Sequence, residues 1–133
     1  MTEFETEAEL PAADYLRLRE AVGWRSVDCD EPTLRASLAL TWNVVAREDG
    51  EVVGIGRLLD DGAFYATVWD VIVVPEAQRR GIGTAILELL LERAAGRSIV
   101  ALVASPAGKP LYERYGFSSD DGRGVAMLMR PNG

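Results

Sequence analysis

The fold is decided by residues 71–84, which read Val71-Ile72-Val73-Val74-Pro75-Glu76-Ala77-Gln78-Arg79-Arg80-Gly81-Ile82-Gly83-Thr84. The β-branched run before the proline predicts a strand that is buried on both faces. Beyond the loop, apolar residues recur at helical spacing and predict a helix over residues 81–95. This apolar stripe consists of Ile82, Ala85, Ile86, Leu89, Leu90 and Ala94. A strand, a loop and a helix therefore follow one another here.

The loop has the features of an anion site. Gly81 and Gly83 lack Cβ atoms, so backbone amides can come close to a ligand. The first amides of a helix have no intrahelical acceptors, and the helix dipole adds partial positive charge there. Arg79 and Arg80 strengthen that field, and the pattern indicates a phosphate or pyrophosphate site. The simpler alternative is a helix N-terminus with two incidental arginines.

The remaining patterns predict an α+β fold with one mixed sheet and helices on its faces. Segments 42–48 and 51–59 flank Asp49-Gly50, which suits a type I′ hairpin turn, and a third strand covers 64–74. The helix between that strand and a buried strand at 98–104 makes a right-handed crossover, so these two strands are parallel. The other predicted elements are an edge strand at 2–8, helices at 11–22 (with Pro11 as first helical residue) and near Pro32, a short helix at 109–115 capped by Gly116, and a last strand at 125–130.

Composition excludes several classes of protein. The chain has 133 residues, 48% hydrophobic and 26% charged, which predicts one domain over residues 1–133. It contains no histidine and only Cys29 as cysteine, which excludes zinc sites and Ser-His or Cys-His catalysis and fits a cytoplasmic location. No apolar run is long enough to span a membrane. The net charge of −7 argues against nucleic-acid binding.

Residues 78–85, Gln78-Arg79-Arg80-Gly81-Ile82-Gly83-Thr84-Ala85, resemble the acyl-CoA-binding motif of the GNAT superfamily of N-acetyltransferases, whose pattern is Gln/Arg-x-x-Gly-x-Gly/Ala. A downstream segment, Leu111-Tyr112-Glu113-Arg114-Tyr115-Gly116-Phe117, is similar to a second motif of the family in order and spacing. The resemblance implies a GNAT-like fold and an acetyl-CoA-dependent N-acetyltransferase without a metal.

The resemblance also assigns residues to acetyl-CoA. In the family the loop amides bind the CoA pyrophosphate, and here these residues are Gln78, Arg79, Arg80, Gly81, Ile82, Gly83 and Thr84. The pantetheine arm lies between two parallel strands that splay apart, here 64–74 and 98–104. Free main-chain groups of Ile72 and Val74, on either side of Val73, are then expected to bind the pantetheine and the acetyl carbonyl. A ligand there supplies the partners that a buried strand edge lacks.

Tyr112 matches the family's general-acid tyrosine, four residues before Gly116. A tyrosine hydroxyl is protonated at neutral pH and can donate a proton to the departing thiolate. The alternative is a tyrosine that packs the short helix, although Tyr115 is the better core candidate. Ser105 departs from the asparagine that many relatives carry seven residues before the tyrosine, which puts contacts at this point in doubt. Lys109 reaches either a CoA phosphate or only solvent.

Asp70 matches the position from which related enzymes place a base, directly or through water, to take the proton of the amine. An unpaired carboxylate inside a strand is costly, so the alternative is an ion pair with Arg57 or Arg47 across the sheet. Trp24, Trp42 and Trp69 either line an aromatic acceptor pocket or, by default, pack in the core.

The sequence thus predicts direct acetyl transfer to a primary amine of a small molecule or peptide. Cys29 lies outside the matched motifs, which argues against a covalent intermediate. The acceptor is expected to be cationic, since residues 1–31 hold nine acidic groups against three arginines. The simpler alternative is a solvated acidic face. A homodimer is possible, as in many relatives. The alternative function is a non-catalytic acyl-CoA-binding sensor or regulatory module.

Overall fold

A five-stranded sheet organises the N-terminal part of the chain in the computed structural model, which describes residues 1–132. The strands lie in the order of the sequence: β1 (Thr2–Glu5), β2 (Trp42–Glu48), β3 (Glu51–Asp60), β4 (Tyr65–Val73) and β5 (Ile99–Leu102). Neighbours from β1 to β4 pair antiparallel, whereas β5 pairs parallel to β4. The predicted mixed sheet, its N-terminal edge strand and its parallel pair are confirmed.

All four predicted helices are present: α1 (Ala12–Ala21), α2 (Glu31–Leu40), α3 (Ile82–Arg93) and α4 (Lys109–Arg114). Pro11 was predicted to be the first residue of the first helix. In the structure it instead precedes this helix as the N-cap residue. Asp30 caps α2 by accepting a 2.8 Å hydrogen bond from the Thr33 amide. Asp49 and Gly50 both have positive φ angles, of 52° and 79°, which confirms the type I′ hairpin turn.

Two glycines let α3 lie directly on the sheet. A Cβ atom at Gly56 would lie 2.5 Å from a side-chain carbon of Ile86, and one at Gly54 would lie 3.0 Å from the same side chain. Neighbouring residues of a strand point to opposite faces. The side chain of Arg57 accordingly reaches Ser37 of α2 on the other face. Helices therefore flank the sheet on both faces.

The chain divides into two compact units, Met1–Val103 and the residues from Ala104 onward. The first unit contains the whole sheet with α1, α2 and α3. The second contains α4 and a bridge between Asp120 and Val125. The single domain over residues 1–133 stays a prediction. Among residues 1–132, no helix is long and apolar enough to cross a lipid bilayer.

The last predicted strand, at 125–130, is wrong. Within residues 1–132, Val125 forms only the isolated bridge with Asp120, and no strand follows it. Local bonds compete with a strand ladder here, because the carboxylate of Asp121 accepts hydrogen bonds from the amides of Arg123 and Gly124. The apolar pattern of this segment had no sheet partner in the structure to pair with.

Burial differs from the prediction at several positions. Val71 and Val73 are only half-buried, so the end of β4 is not covered on both faces. β5 is shorter than predicted and its Ile99 is 58% exposed, because the pairing of the sheet ends at this strand. Tyr115 is 38% exposed and is not a core residue.

The three tryptophans also lie outside the core, although core packing was the default expectation for them. Trp24 and Trp69 are exposed. The Trp24 ring lies under the guanidinium of Arg19, 5.3 Å from ring centroid to Cζ, and the Trp69 indole donates a hydrogen bond to Thr67 of its own strand. Trp42 is half-buried beneath Arg93. Trp24 and Trp69 thus have polar partners near the surface, whereas the indole nitrogen of Trp42 is buried and has no hydrogen-bond partner among residues 1–132.

Candidate active site

The loop between β4 and α3 presents a run of unpaired amides. Pro75 ends the strand, a short 3₁₀ turn over Pro75–Ala77 follows, and Gly81 enters the helix with a φ of 79°. Within residues 1–132, none of the backbone N–H groups from Arg79 to Thr84 meets an acceptor. Six consecutive donors without partners at a helix N-terminus form a site for an anion.

Gln78 fixes the start of this run. Its side-chain amide donates a 2.9 Å hydrogen bond to the carbonyl of Val73. The side chain thus points back onto the end of β4, and the assignment of Gln78 to CoA stays a prediction. Gln78 therefore ties the loop to the strand that precedes it.

The two loop arginines differ in whether they form an ion pair. The Arg80 guanidinium donates a 2.6 Å hydrogen bond to Glu48 at the end of β2, and Thr2 donates another to the same carboxylate. The bond from Arg80 is the main reason that the pKa of Glu48 lies below its usual value. Arg79 is exposed and forms no ion pair with any residue in the described part of the chain. Only Arg79 is thus free to add charge to the amide run.

β4 and β5 separate before β4 ends. Their parallel pairing covers Tyr65–Val68 of β4 and Ile99–Leu102 of β5, and β4 continues to Val73. The edge of β4 that faces β5 is therefore open over residues 69–73. This opening agrees with the splayed strands that the resemblance implies.

The prediction that Ile72 and Val74 have free main-chain groups is wrong. The Val74 amide donates a 2.9 Å hydrogen bond to the carbonyl of Val53 in β3. Main-chain groups alternate between the two sides of a strand, so Ile72, which lies opposite Ile55, also faces β3. The open edge belongs instead to Val71 and Val73.

Asp70 lies at a bulge next to this edge. Between two successive pairs, Ile55–Ile72 and Arg57–Trp69, β3 advances by two residues and β4 by three. Asp70 has a φ of 52°, which only a few per cent of non-glycine residues adopt. The strain is typical of positions that a surrounding structure holds in place for function.

Three charged or polar groups lie around Asp70, whose side chain is only 13% exposed. Arg57 donates a 3.0 Å hydrogen bond to it, which confirms one of the two predicted ion-pair partners. Arg47 instead pairs with Glu5 at 2.6 Å. The Tyr15 hydroxyl donates a second hydrogen bond to Asp70, of 2.8 Å, and Arg19 approaches to 3.6 Å.

Sequence analysis did not identify Tyr15 and Arg19 as site residues. Both lie on α1 at positions i and i+4, so they share one helix face, and this spacing is the one signal in the sequence that could have linked them. Burial, followed by the charge of Asp70, raises the pKa of Tyr15 above its usual value. The hydroxyl is therefore protonated at neutral pH and acts as a donor.

Tyr112 lies on α4, in the second unit. Burial raises the pKa of this tyrosine, so its hydroxyl keeps its proton at neutral pH. The ring packs edge-on against Phe117, with 6.0 Å between the ring centroids. Ser105 lies just before the helix and accepts hydrogen bonds from the amides of Gly108 and Lys109, and the Lys109 side chain is exposed.

An open cavity of about 980 Å³ lies in the first unit. It adjoins the start of β2 and the end of β3, and its lining includes Trp42, Glu7, Glu9 and Asp61. Within residues 1–132, Glu7 and Glu9 form no ion pair, so the cavity carries uncompensated negative charge. No group of three or more His, Cys, Asp or Glu side chains in this part of the chain is close enough to hold a metal ion.

A family model described as an acetyltransferase (GNAT) domain matches residues 40–119, which contain β2 to β5, the amide run, Asp70 and Tyr112. The chain belongs to the GNAT acetyltransferase family. Its fold is also that of a GNAT-family acetyltransferase from Streptococcus pneumoniae TIGR4, with a TM-score of 0.81, 26% identity and coverage of 98% of this chain and 97% of that one. A structure described as a predicted acetyltransferase with acetyl-CoA from Clostridium acetobutylicum has the same fold, with a TM-score of 0.74, 20% identity and coverage of 98% and 96%.

Among curated relatives, serotonin N-acetyltransferase 2, chloroplastic, from Oryza sativa subsp. japonica is 41% identical over 82 residues. The match covers 59% of this chain and 41% of the rice protein. This GNAT chain thus spans less than half the length of the rice protein and 30% of GCN5-related N-acetyltransferase 2, chloroplastic, from Arabidopsis thaliana.

Proposed function

We propose that this GNAT chain is an acetyl-CoA-dependent N-acetyltransferase that transfers an acetyl group directly to a primary amine of a small molecule or peptide. The observation that carries the proposal is the run of six unpaired amides from Arg79 to Thr84. These donors suit the CoA pyrophosphate, and Arg79 adds a free positive charge beside them. The open edge of β4 at Val71 and Val73 offers main-chain partners to the pantetheine arm.

In the proposed reaction, the neutral amine attacks the thioester carbon, a C–N bond forms and the C–S bond breaks. An alkylammonium acceptor loses its first proton to solvent before this attack, and Asp70, directly or through water, takes the second N–H proton as the amide forms. The thiolate that leaves gains a proton from the Tyr112 hydroxyl. Both side chains then return to their initial protonation states by exchange with solvent.

The acceptor is proposed to arrive as a cation. Glu7 and Glu9 line the cavity of the first unit without ion-pair partners, and residues 1–31 as a whole are strongly acidic. Such a charge raises the local concentration of a cationic amine. The name of the rice relative makes serotonin, an aromatic primary amine, a reasonable first probe. Cytoplasmic location and a homodimer stay predictions.

The experiment is calorimetric titration of the purified chain with acetyl-CoA, followed by assay of thiol release with serotonin, spermidine, glucosamine and a lysine-containing peptide. Binding with turnover of at least one amine supports the enzyme. Binding without turnover of any amine indicates the alternative, an acyl-CoA-binding module, and absence of binding contradicts both. A Glu7→Lys/Glu9→Lys variant that leaves KM unchanged for a cationic acceptor would contradict the role of the acidic residues.

A further inference from the structure

The geometry points to Tyr15 as a positioning residue for Asp70: with Arg57, its hydroxyl holds one carboxylate oxygen, Oδ2, and leaves the other, Oδ1, to receive the proton of the amine. This inference rests on the proposed function, because it requires Asp70 to act as the base. It assigns a role to a residue that lies on α1, outside the two motifs that mark the family in this sequence.

The two oxygens of the Asp70 carboxylate differ in their partners. Oδ2 accepts hydrogen bonds from the Tyr15 hydroxyl, at 2.8 Å, and from Nη1 of Arg57, at 3.0 Å. Oδ1 lies 3.6 Å from Nη1 of Arg19, which is beyond hydrogen-bond distance. Among residues 1–132, no group donates a hydrogen bond to Oδ1. An ionised carboxylate oxygen has two lone-pair sites, so within residues 1–132 both sites of Oδ1 are free of hydrogen-bond donors.

The direction of the Tyr15 proton follows from its second contact. Nη1 of Arg19 donates a 3.3 Å hydrogen bond to the Tyr15 oxygen, which therefore acts as an acceptor on that side. A phenol has a single proton, and it is directed to Asp70. Burial and the neighbouring carboxylate raise the pKa of Tyr15, so the hydroxyl remains a donor throughout the physiological pH range.

Arg57 is itself held firmly. Its remaining donors bind Thr41 Oγ1, the carbonyl of Ser37 and Ser37 Oγ at 3.0, 2.9 and 3.2 Å. The guanidinium groups of Arg57 and Arg19 both lie over the Tyr15 ring, 5.5 and 5.6 Å from its centroid. The two groups that bind Oδ2 of Asp70, the Arg57 guanidinium and the Tyr15 phenol, are thus themselves held in place. Such supporting contacts are what hold a reactive group in a productive geometry.

The test compares Tyr15→Phe, Asp70→Asn and the double variant, using acetyl-CoA and the amine of the panel with the highest kcat/KM. Tyr15→Phe keeps the ring and both guanidinium contacts but removes the hydroxyl, and we expect kcat to fall about tenfold with KM for acetyl-CoA unchanged. Asp70→Asn keeps acceptor and shape but removes the base, and kcat is expected to fall at least about 100-fold. The double variant should be no slower than Asp70→Asn alone, since Tyr15 acts only through the carboxylate.

Tyr65→Phe is the matched control, because Tyr65 is an exposed phenol on β4 itself, and it should retain full activity. A rescue experiment gives a result that would not change if Tyr15 had a purely structural role. Asp70→Gly suits a positive φ, and added formate should restore part of its turnover by replacing the base. The same rescue should be weaker in Tyr15→Phe/Asp70→Gly.

The outcomes separate the two proposals. Full activity of Tyr15→Phe, or losses that simply add in the double variant, overturns the role of Tyr15 while Asp70 can still be the base. Full activity of Asp70→Asn overturns both the role of Tyr15 and the base assignment, yet leaves an active acetyltransferase. Absence of turnover in the unmodified chain overturns the proposed function as well.

Discussion

The side-chain amide of Gln78 donates a hydrogen bond of 2.9 Å to the carbonyl of Val73, the last residue of β4. Four residues, one of them Pro75, lie between the two, and without this bond only the 3₁₀ turn connects the strand to the amide run. The bond sets where the six free amides begin. It also occupies one carbonyl on the open edge of β4, which leaves Val71 and the Val73 amide for a ligand.

We expect Gln78→Ala to raise KM for acetyl-CoA about fivefold while kcat changes by less than twofold, because a loop that is less ordered pays more entropy on binding. The melting temperature should change little, since Gln78 is exposed. Glu76→Gln is the control, as it changes another exposed residue of the loop. Equal KM values for Gln78→Ala and the unmodified chain would exclude this ordering role.

Gly83→Leu is expected to abolish acetyl-CoA binding without unfolding the chain. A Cβ atom at Gly83 would lie 3.6 Å from Cγ2 of Val73, an ordinary contact, and the residue has no positive φ. A glycine inside a helix lowers the free energy of unfolding by about 1 kcal/mol relative to alanine. The fold therefore tolerates a side chain at this position. A leucine would, however, extend over the amides that are to bind the phosphates.

Calorimetry with acetyl-CoA, together with the melting temperature, checks this expectation. Gly124→Leu serves as the control, because a Cβ atom at that glycine meets nothing within 4 Å and its φ is not positive. Acetyl-CoA affinity that survives in a folded Gly83→Leu variant removes the loop from the binding site.

Tyr112→Phe is expected to lower kcat by about 100-fold and to leave the dissociation constant of acetyl-CoA within twofold, because it removes only the proton donor. The edge-on contact of the ring with Phe117 does not involve the hydroxyl, so folding should be preserved. Tyr115→Phe is the control, because it removes a tyrosine hydroxyl three residues away on the same segment. Steady-state kinetics that show equal kcat in both variants would eliminate Tyr112 as the acid.

The sequence predicts this fold well because its determinants are local. Asp49-Gly50 sets the hairpin, and the apolar stripe of α3 sets the helix that follows the loop. The buried Leu87 was not included in that stripe, because helix α3 is apolar on a wider arc than its spacing indicated. The failure at residues 125–130 has the opposite cause. An apolar segment specifies a strand only when a neighbouring strand is available.

The candidate site is predictable only in part. The glycine loop can be read from the sequence, since the amides of any helix N-terminus lack acceptors. The wrong assignment of the free edge to Ile72 and Val74 came from the family resemblance. Which main-chain groups face β3 is set by strand pairing and by the bulge at Asp70, and neither is visible in the residue pattern. Tyr15 and Arg19 are 51 or more residues from Asp70, and only the tertiary structure brings them together.

Asp60 and Arg97 lead to a prediction about stability in acid. Nε and Nη2 of Arg97 donate hydrogen bonds of 2.7 and 2.9 Å to the two Asp60 oxygens, and the side chains are only 8% and 16% exposed. Chiefly through these bonds, Arg97 lowers the pKa of Asp60 from 3.8 to about 2. The unfolded chain binds this proton more readily, so the stabilisation is complete above pH 3.8 and declines as the pH falls through about 2.

Asp60→Asn should therefore lower the free energy of unfolding at pH 7 by about 2 kcal/mol, the amount that corresponds to a fall of the Asp60 pKa from 3.8 to about 2. The corresponding fall in melting temperature is about 7 °C for a chain of this size. The difference from the unmodified chain should shrink as the pH falls from 4 to 2, where the native carboxylate itself takes up a proton. Thermal unfolding at several pH values, with the exposed Asp28→Asn as control, checks this. A difference that stays constant down to pH 2 would show that packing, rather than the charge of Asp60, accounts for the loss.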